Sequence, residues 1–312
     1  MNPSTWSAPS AVLVSHNSSS YMLLRELLRP MGWSVHSVTD SVTEVSRLAR
    51  MGEVSLVIIL DQIELPASYI ARRLLSDPFG RTLPVLAFFL QHHIFEEKAL
   101  KSMLSSGVVL PMPLTPARFH PAFKSLIQMW DVKPYLNLRQ MMYQNWKPRN
   151  YDQIEAVFLK FIKEQVLLDI IVPPYAALLR RKNQFATAEK LLLQCVSQNP
   201  SHLGLLIVLG EHYIKAGSPE VALKLFKNAF VSFNHTTAVL FDLVQCLLVL
   251  GELSKAQELL LTLLNRGVQT ESCAVAQAKI FFAQGRSTEA ERSLMAVDGV
   301  YSRMKRSWNW KS

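Results

Sequence analysis

Small residues recur at a fixed interval in the second half of this 312-residue chain. Alanines stand 34 residues apart at Ala188, Ala222, Ala256 and Ala290, and glycines keep the same interval at Gly217, Gly251 and Gly285. A period of this length indicates a series of small helical units, each of which buries its apolar face against its neighbours. The sequence therefore predicts a repeat architecture rather than a plain helical bundle.

The repeat resembles the tetratricopeptide repeat, a helix-turn-helix unit. The best copy carries nearly every signature position of that family: Leu205, Leu206, Ile207, Val208, Leu209, Gly210, Tyr213, Gly217, Ala222, Phe226 and Ala229. In the family pattern, small residues let the paired helices approach closely, and a glycine ends the first helix. We expect about four units from residue 169 to about residue 304.

The resemblance implies a concave surface, lined by the first helix of each unit, that binds a partner protein. We expect the following residues on or near it: Arg181, Glu211, Lys215, Phe241, Gln245, Lys279 and Phe282. The predominance of positive charge favours an acidic or carboxylate-terminated peptide as ligand. The alternative is that these are ordinary solvated charges.

The first part of the chain shows a different pattern, in which short apolar runs alternate with amphipathic stretches. We predict strands at Ala11–Ser15, Ser34–Ser37, Ser55–Asp61, Pro84–Phe89 and Val108–Leu110. Helices are predicted at Tyr21–Arg29, Val42–Met51, Ser68–Ser76, Phe95–Ser106 and Pro116–Met129. This alternation is typical of an α/β fold with a doubly wound, five-stranded parallel sheet of the flavodoxin type.

In such a sheet, the ligand site lies beyond the carboxyl ends of the strands. The opening strand, from Ala11 onward, resembles that of a response-regulator receiver domain. Where that family has two acidic residues that hold magnesium, this chain has Ser15, His16 and Asn17. The family's third strand ends in the phosphate-accepting aspartate, four residues before a proline. Counting back from Pro66 places Gln62 at the acceptor position.

Two further positions depart from the receiver pattern. The fourth strand ends at Phe89 instead of a small hydroxyl residue, and the fifth ends in Met112-Pro113 instead of Lys-Pro. Phosphoryl transfer to a carboxylate depends on magnesium and a lysine that neutralise charge. The resemblance therefore implies a degenerate, pseudo-receiver domain without a metal or cofactor. Asp61 remains an alternative acceptor only if one residue is inserted before Pro66.

The remaining composition limits the other functions. A net charge of +9 is spread along the chain, and we do not expect nucleic-acid binding. No apolar run is long enough to span a membrane, and the first ten residues lack the features of a secretory signal, so we expect a cytoplasmic protein. The three cysteines, Cys195, Cys246 and Cys273, are predicted to be buried small residues.

We predict a receiver-like domain at residues 1–130, a helical connector at 131–168, and repeats with a tail at 169–312. The chain is expected to be a non-enzymatic signalling adaptor of a bacterial two-component (phosphorelay) pathway, with a protein partner on its repeats. A homodimer through the receiver-like domain is a further expected contact. The first alternative is a response regulator that is phosphorylated on Asp61 and switches the repeats. The second is a nucleic-acid-binding protein.

Overall fold

The structure is a computed structural model. It describes residues 9–15, 19–39, 42–51, 53–62, 66–75, 83–90, 94–104, 107–130, 138, 141, 151–165, 167–268 and 270–295. The chain forms two compact units, of which the first comprises residues 1–62 and 67–209, and the second comprises residues 63–66 and 210–312.

The first unit opens with a parallel sheet. Its strands are β1 (Ser10–Val14), β2 (Ser34–Thr39), β3 (Leu56–Leu60), β4 (Val85–Phe89) and β5 (Gly107–Pro111). They lie in the order β2-β1-β3-β4-β5, and every neighbouring pair is parallel. Every residue of β1, β3 and β4 is buried, as expected for central strands covered on both faces. The predicted doubly wound, five-stranded sheet is confirmed.

Helices follow the strands at nearly the predicted positions. They are α1 (Ser19–Leu28), α2 (Val42–Met51), α3 (Ala67–Leu75), α4 (Ile94–Met103) and α5 (Pro116–Trp130). Aromatic packing joins α5 to β4, because the Phe119 ring stacks on Phe88 at 6.3 Å and on Phe123 at 5.6 Å. We call these strands and helices the α/β domain.

Three more helices lie wholly within the first unit: α6 (Tyr151–Lys163), α7 (Leu168–Arg181) and α8 (Phe185–Gln198). Helix α6 lies in the predicted connector, and Glu155 fixes it to α7. The Glu155 carboxylate accepts hydrogen bonds from the Tyr175 hydroxyl at 3.3 Å and from the Lys182 ammonium, just beyond α7, at 2.5 Å. The hairpin of α7 and α8 is the first predicted repeat. This hairpin lies in the same compact unit as the α/β domain.

The later repeats consist of α9 (Leu203–Lys215), α10 (Pro219–Ser232), α11 (Thr237–Val249), α12 (Leu253–Asn265), α13 (Glu271–Ala283) and α14 (Ser287–Met295). The second compact unit begins within α9. Close approach of α9 and α10 requires glycine at position 210. A Cβ atom at Gly210 would lie 2.2 Å from Cζ of Phe226, which is far inside van der Waals contact.

The same turn closes the first helix of all four repeats. Its left-handed residue is an asparagine once and a glycine three times: Asn183, Gly217, Gly251 and Gly285. The residue after each one donates its N–H to a carbonyl five positions earlier, in the pairs Gln184–Leu179, Ser218–Tyr213, Glu252–Leu247 and Arg286–Phe281. This bond defines the Schellman motif, which ends a helix at a left-handed residue. The alanines of the 34-residue period follow the turn, and all four are fully buried.

We predict that Gly251→Ala destabilises the repeats, because its φ of +73° disfavours a residue with a Cβ atom. The expected loss in the free energy of unfolding is about 1–2 kcal/mol. Nothing lies within 4 Å of a Cβ atom at this position, so the loss is conformational and not steric. Gly251→Asn is the matched control, since asparagine adopts this conformation at Asn183, and chemical denaturation should show a smaller loss. Equal losses would contradict the prediction.

Candidate functional site

The candidate site is the carboxyl edge of the sheet, where the ends of β1 and β3 meet. Ser15, directly after β1, is buried and donates its backbone N–H to the Thr39 carbonyl at 2.9 Å. The Gln62 side-chain amide donates to the Ser15 hydroxyl at 2.7 Å. The structure therefore brings these two predicted pocket residues together through a neutral hydrogen bond.

Asp61 ends β3 and has only 3% of its surface exposed. One carboxylate oxygen accepts a hydrogen bond from the Ala67 N–H at 2.8 Å, and the other accepts from the Leu90 N–H at 3.0 Å. Ala67 begins α3, so the carboxylate lies at the helix N-terminus, where unpaired N–H groups favour an anion. Asp61 thereby joins the start of α3 to the end of β4.

The ends of β4 and β5 form the apolar part of this edge. Phe89 pairs with Pro111 across the two strands and is buried. Met112 donates its backbone N–H to the Phe89 carbonyl at 2.7 Å, and its side chain is half-buried. A thioether carries no charge, so Met112 cannot supply the cation that a lysine would provide.

Two predicted pocket residues, His16 and Asn17, lie outside the residues that the structure describes. Within the described part of the chain, no group of three or more His, Cys, Asp or Glu side chains is arranged to hold a metal ion.

The predicted groove residues differ in how far they are exposed to solvent. Arg181, Lys215 and Phe282 are exposed, whereas Glu211, Gln245 and Lys279 are half-buried. The last three stand at one position of successive repeats, 34 residues apart, so this position carries one negative, one neutral and one positive side chain.

The prediction for Phe241 was wrong. Only 3% of its surface is exposed, and it is therefore a core residue and not part of an accessible groove. It lies on α11, which is buried at every residue from Thr237 to Val244. A helix that is buried on all of its faces packs its aromatic side chains into the core.

The cysteines are buried and free. Burial, assisted by the negative charges of Asp242 and Glu220, raises the pKa of Cys246 to about 11, and its thiol donates to the Pro219 carbonyl at 3.0 Å. Burial also raises the pKa of Cys273. Because the thiolate is the nucleophilic form, neither of these two residues is suited to covalent chemistry at neutral pH.

Ser102 forms a contact that sequence reasoning missed. Its hydroxyl donates to the Ser201 carbonyl at 2.5 Å and accepts from the Leu203 N–H at 2.7 Å. The contact joins residues about 100 positions apart, so no local sequence pattern marks it. The sequence offers one local sign that another segment packs closely here: Gly204 is a glycine inside an apolar helical stretch.

The chain is similar to one family model and to several solved structures. A model of the tetratricopeptide repeat family matches residues 215–280. The chain is similar to a solved putative response regulator from Chloroflexus aurantiacus, with 18% identity and a TM-score of 0.34, over 39% of this chain and 99% of that chain. It is also similar to a thermophilic TPR protein of Thermus thermophilus, with 20% identity and a TM-score of 0.46, over 55% of this chain and 96% of that chain.

No curated protein matches the chain. A receiver-like α/β domain is followed by tetratricopeptide repeats. This confirms the resemblance seen in the sequence. Among the residues that the structure describes, no helix has both the length and the apolar character needed to cross a membrane.

We predict that Asp61→Asn destabilises the α/β domain. Asparagine keeps the size of the side chain but offers one oxygen and one NH₂ group, so one of the two backbone N–H groups loses its acceptor. An unsatisfied buried donor costs about 1–3 kcal/mol, and thermal or chemical unfolding should show a loss of this order.

Glu97→Gln is the matched control. It also replaces a carboxylate by an amide, but Glu97 forms only an exposed ion pair with Lys101 in the next turn of α4. Exposed pairs of this kind contribute about 0.3–0.5 kcal/mol. If the Asp61→Asn protein were as stable as the Glu97→Gln protein, the Asp61 carboxylate would not stabilise the α/β domain.

Proposed function

We propose that this protein is a non-catalytic signalling adaptor of a bacterial two-component-type pathway. A receiver-like domain joined to tetratricopeptide repeats is an architecture of signalling and protein interaction. In the proposal, the receiver-like domain works without phosphorylation and the repeats bind a partner protein. The observation that carries it is the Asp61 carboxylate, which is nearly inaccessible and accepts one backbone N–H on each oxygen.

An aspartyl phosphate forms when a carboxylate oxygen attacks a phosphoryl group whose charge is neutralised by magnesium and a cationic side chain. Asp61 is only 3% exposed and each of its oxygens accepts a backbone N–H, so a phosphoryl donor would reach it only after a local rearrangement of this edge. Gln62, at the aligned position, carries an amide that is not a nucleophile of this kind. Asp61 as a phosphorylated switch is thus disfavoured.

The partner site in this proposal lies on the last repeat. Lys279 and Phe282 are three residues apart on α13, so they share one face of the helix. Phe282 is 42% exposed, and Lys279 is half-buried. An exposed aromatic ring beside an ammonium group suits a peptide that carries an apolar side chain next to a carboxylate.

The proposal includes a cytoplasmic location, since the three cysteines are free and buried rather than paired in disulfides. Self-association through the receiver-like domain stays a prediction, as does the absence of nucleic-acid binding.

Phosphorylation provides the direct test. We expect no aspartyl phosphate when the full chain is incubated with acetyl phosphate and Mg²⁺, and no Mg²⁺-dependent binding of beryllofluoride. Intact-protein mass spectrometry measures the first, and isothermal titration calorimetry measures the second. A phosphorylatable response regulator serves as the positive control. Stoichiometric, Mg²⁺-dependent labelling that disappears in Asp61→Asn would establish the switch and rule out the adaptor.

Peptide binding tests the proposed partner site. An array of short acidic, neutral and basic peptides should retain the full chain on acidic members that carry an apolar residue. Lys279→Glu should weaken that binding about tenfold at low salt and less at high salt, because the attraction is electrostatic. Lys227→Glu makes the same charge change at an exposed position of α10 and should leave binding unchanged. Equal effects of the two variants would place the peptide elsewhere.

A further inference from the structure

The segment from Ser201 to Gly204, which begins α9, makes its polar contact with the α/β domain through Ser102. The Ser102 hydroxyl is a donor to the Ser201 carbonyl and an acceptor for the Leu203 N–H. Leu203 is the first residue of α9, so its N–H has no acceptor within that helix. A side chain on α4 therefore caps the first helix of the second repeat.

Close packing accompanies this hydrogen bonding. A Cβ atom at Gly204 would lie 2.8 Å from Cδ1 of Leu75, the last residue of α3, and 3.0 Å from Cε1 of His202. Leu203 itself is fully buried. The ends of both α3 and α4 thus approach the same four residues.

His202, within this segment, approaches the first repeat. The His202 ring accepts the Leu205 N–H on Nδ1 at 3.3 Å, and its Nε2 lies 3.8 Å from the carboxylate of Asp169, in the first turn of α7. His202 is largely buried, with 10% of its side chain exposed. The segment therefore lies near the first repeat as well as near the α/β domain.

Asp61 fixes the other end of α3, the helix that carries Leu75. Ala67, the first residue of α3, and Leu90, which follows β4 and precedes α4, donate to its two carboxylate oxygens. Helix α3 is only nine residues long, so it moves as a stiff unit. A displacement of its first residue at Asp61 consequently moves Leu75, which lies against Gly204.

We propose that residues 201–204, Ser102 and Leu75 form a latch that couples the Asp61 end of α3 to the start of the second repeat. While Asp61 holds both N–H groups, the latch stays closed and α9 stays capped. A change at the sheet edge opens it and frees the Leu203 N–H. The coupling does not depend on which protein the repeats bind.

Hydrogen–deuterium exchange of the full chain, resolved to single amides, tests the latch itself. In Ser102→Ala, the Leu203 amide should exchange about fivefold to tenfold faster, which corresponds to the loss of one hydrogen bond. Ser197→Ala is the control, because the Ser197 hydroxyl bonds only the nearby Gln194 carbonyl. Unchanged exchange at Leu203, or the same change in both variants, would overturn the latch.

A second pair of variants tests the packing contact. Gly204→Ile should lower the melting temperature, since its branched side chain exceeds the space that a rotation of Leu75 provides. Adding Leu75→Ala should recover most of that loss. Absence of this recovery would show that α3 does not pack against Gly204.

Asp61→Asn tests the coupling. We expect hydrogen exchange at the Leu203 amide to accelerate by a factor at least about threefold larger than the factor at the Ala256 amide. The Ala256 amide belongs to the second compact unit and reports general destabilisation. Glu97→Gln should leave both amides unchanged. A variant that is destabilised at Asp61 but keeps wild-type exchange at Leu203 would overturn the coupling.

Discussion

The α/β domain depends on one carboxylate that serves two backbone donors. Asp61 accepts the N–H of the first residue of α3 and the N–H that follows β4, within a nearly inaccessible site. Buried N–H groups at the ends of a strand and a helix need acceptors, and a carboxylate satisfies both at once. Asp61 thereby joins the start of α3 to the end of β4.

The neighbouring side chains follow from this arrangement. With Asp61 turned toward Ala67 and Leu90, Gln62 reaches across to Ser15, and a neutral hydrogen bond stands where a receiver would concentrate negative charge. Met112, at the end of β5, adds no charge to this edge. The edge thus combines a buried carboxylate, a neutral hydrogen bond and apolar side chains.

Much of the fold was predictable because two periodicities are strong. Central strands buried on both faces appear as continuous apolar runs, and the 34-residue recurrence marks the left-handed turn at Gly217, Gly251 and Gly285. The role of Asp61 was not predictable, since its donors lie six and 29 residues away. Phe241 was assigned to the groove by its register alone, but the register does not reveal what covers a helix face.

The Ser102 contact shows most clearly what a repeat pattern leaves undetermined. By sequence, the first repeat is equivalent to the other three, and Asn183 even reproduces their left-handed turn. In three dimensions it belongs with the α/β domain, because Ser102 and Leu75 hold the residues that immediately follow it. Periodicity fixes how each hairpin folds, whereas contacts between distant residues decide which hairpins act together. Ser102 and Gly204, which make such contacts, both lie outside the repeated pattern.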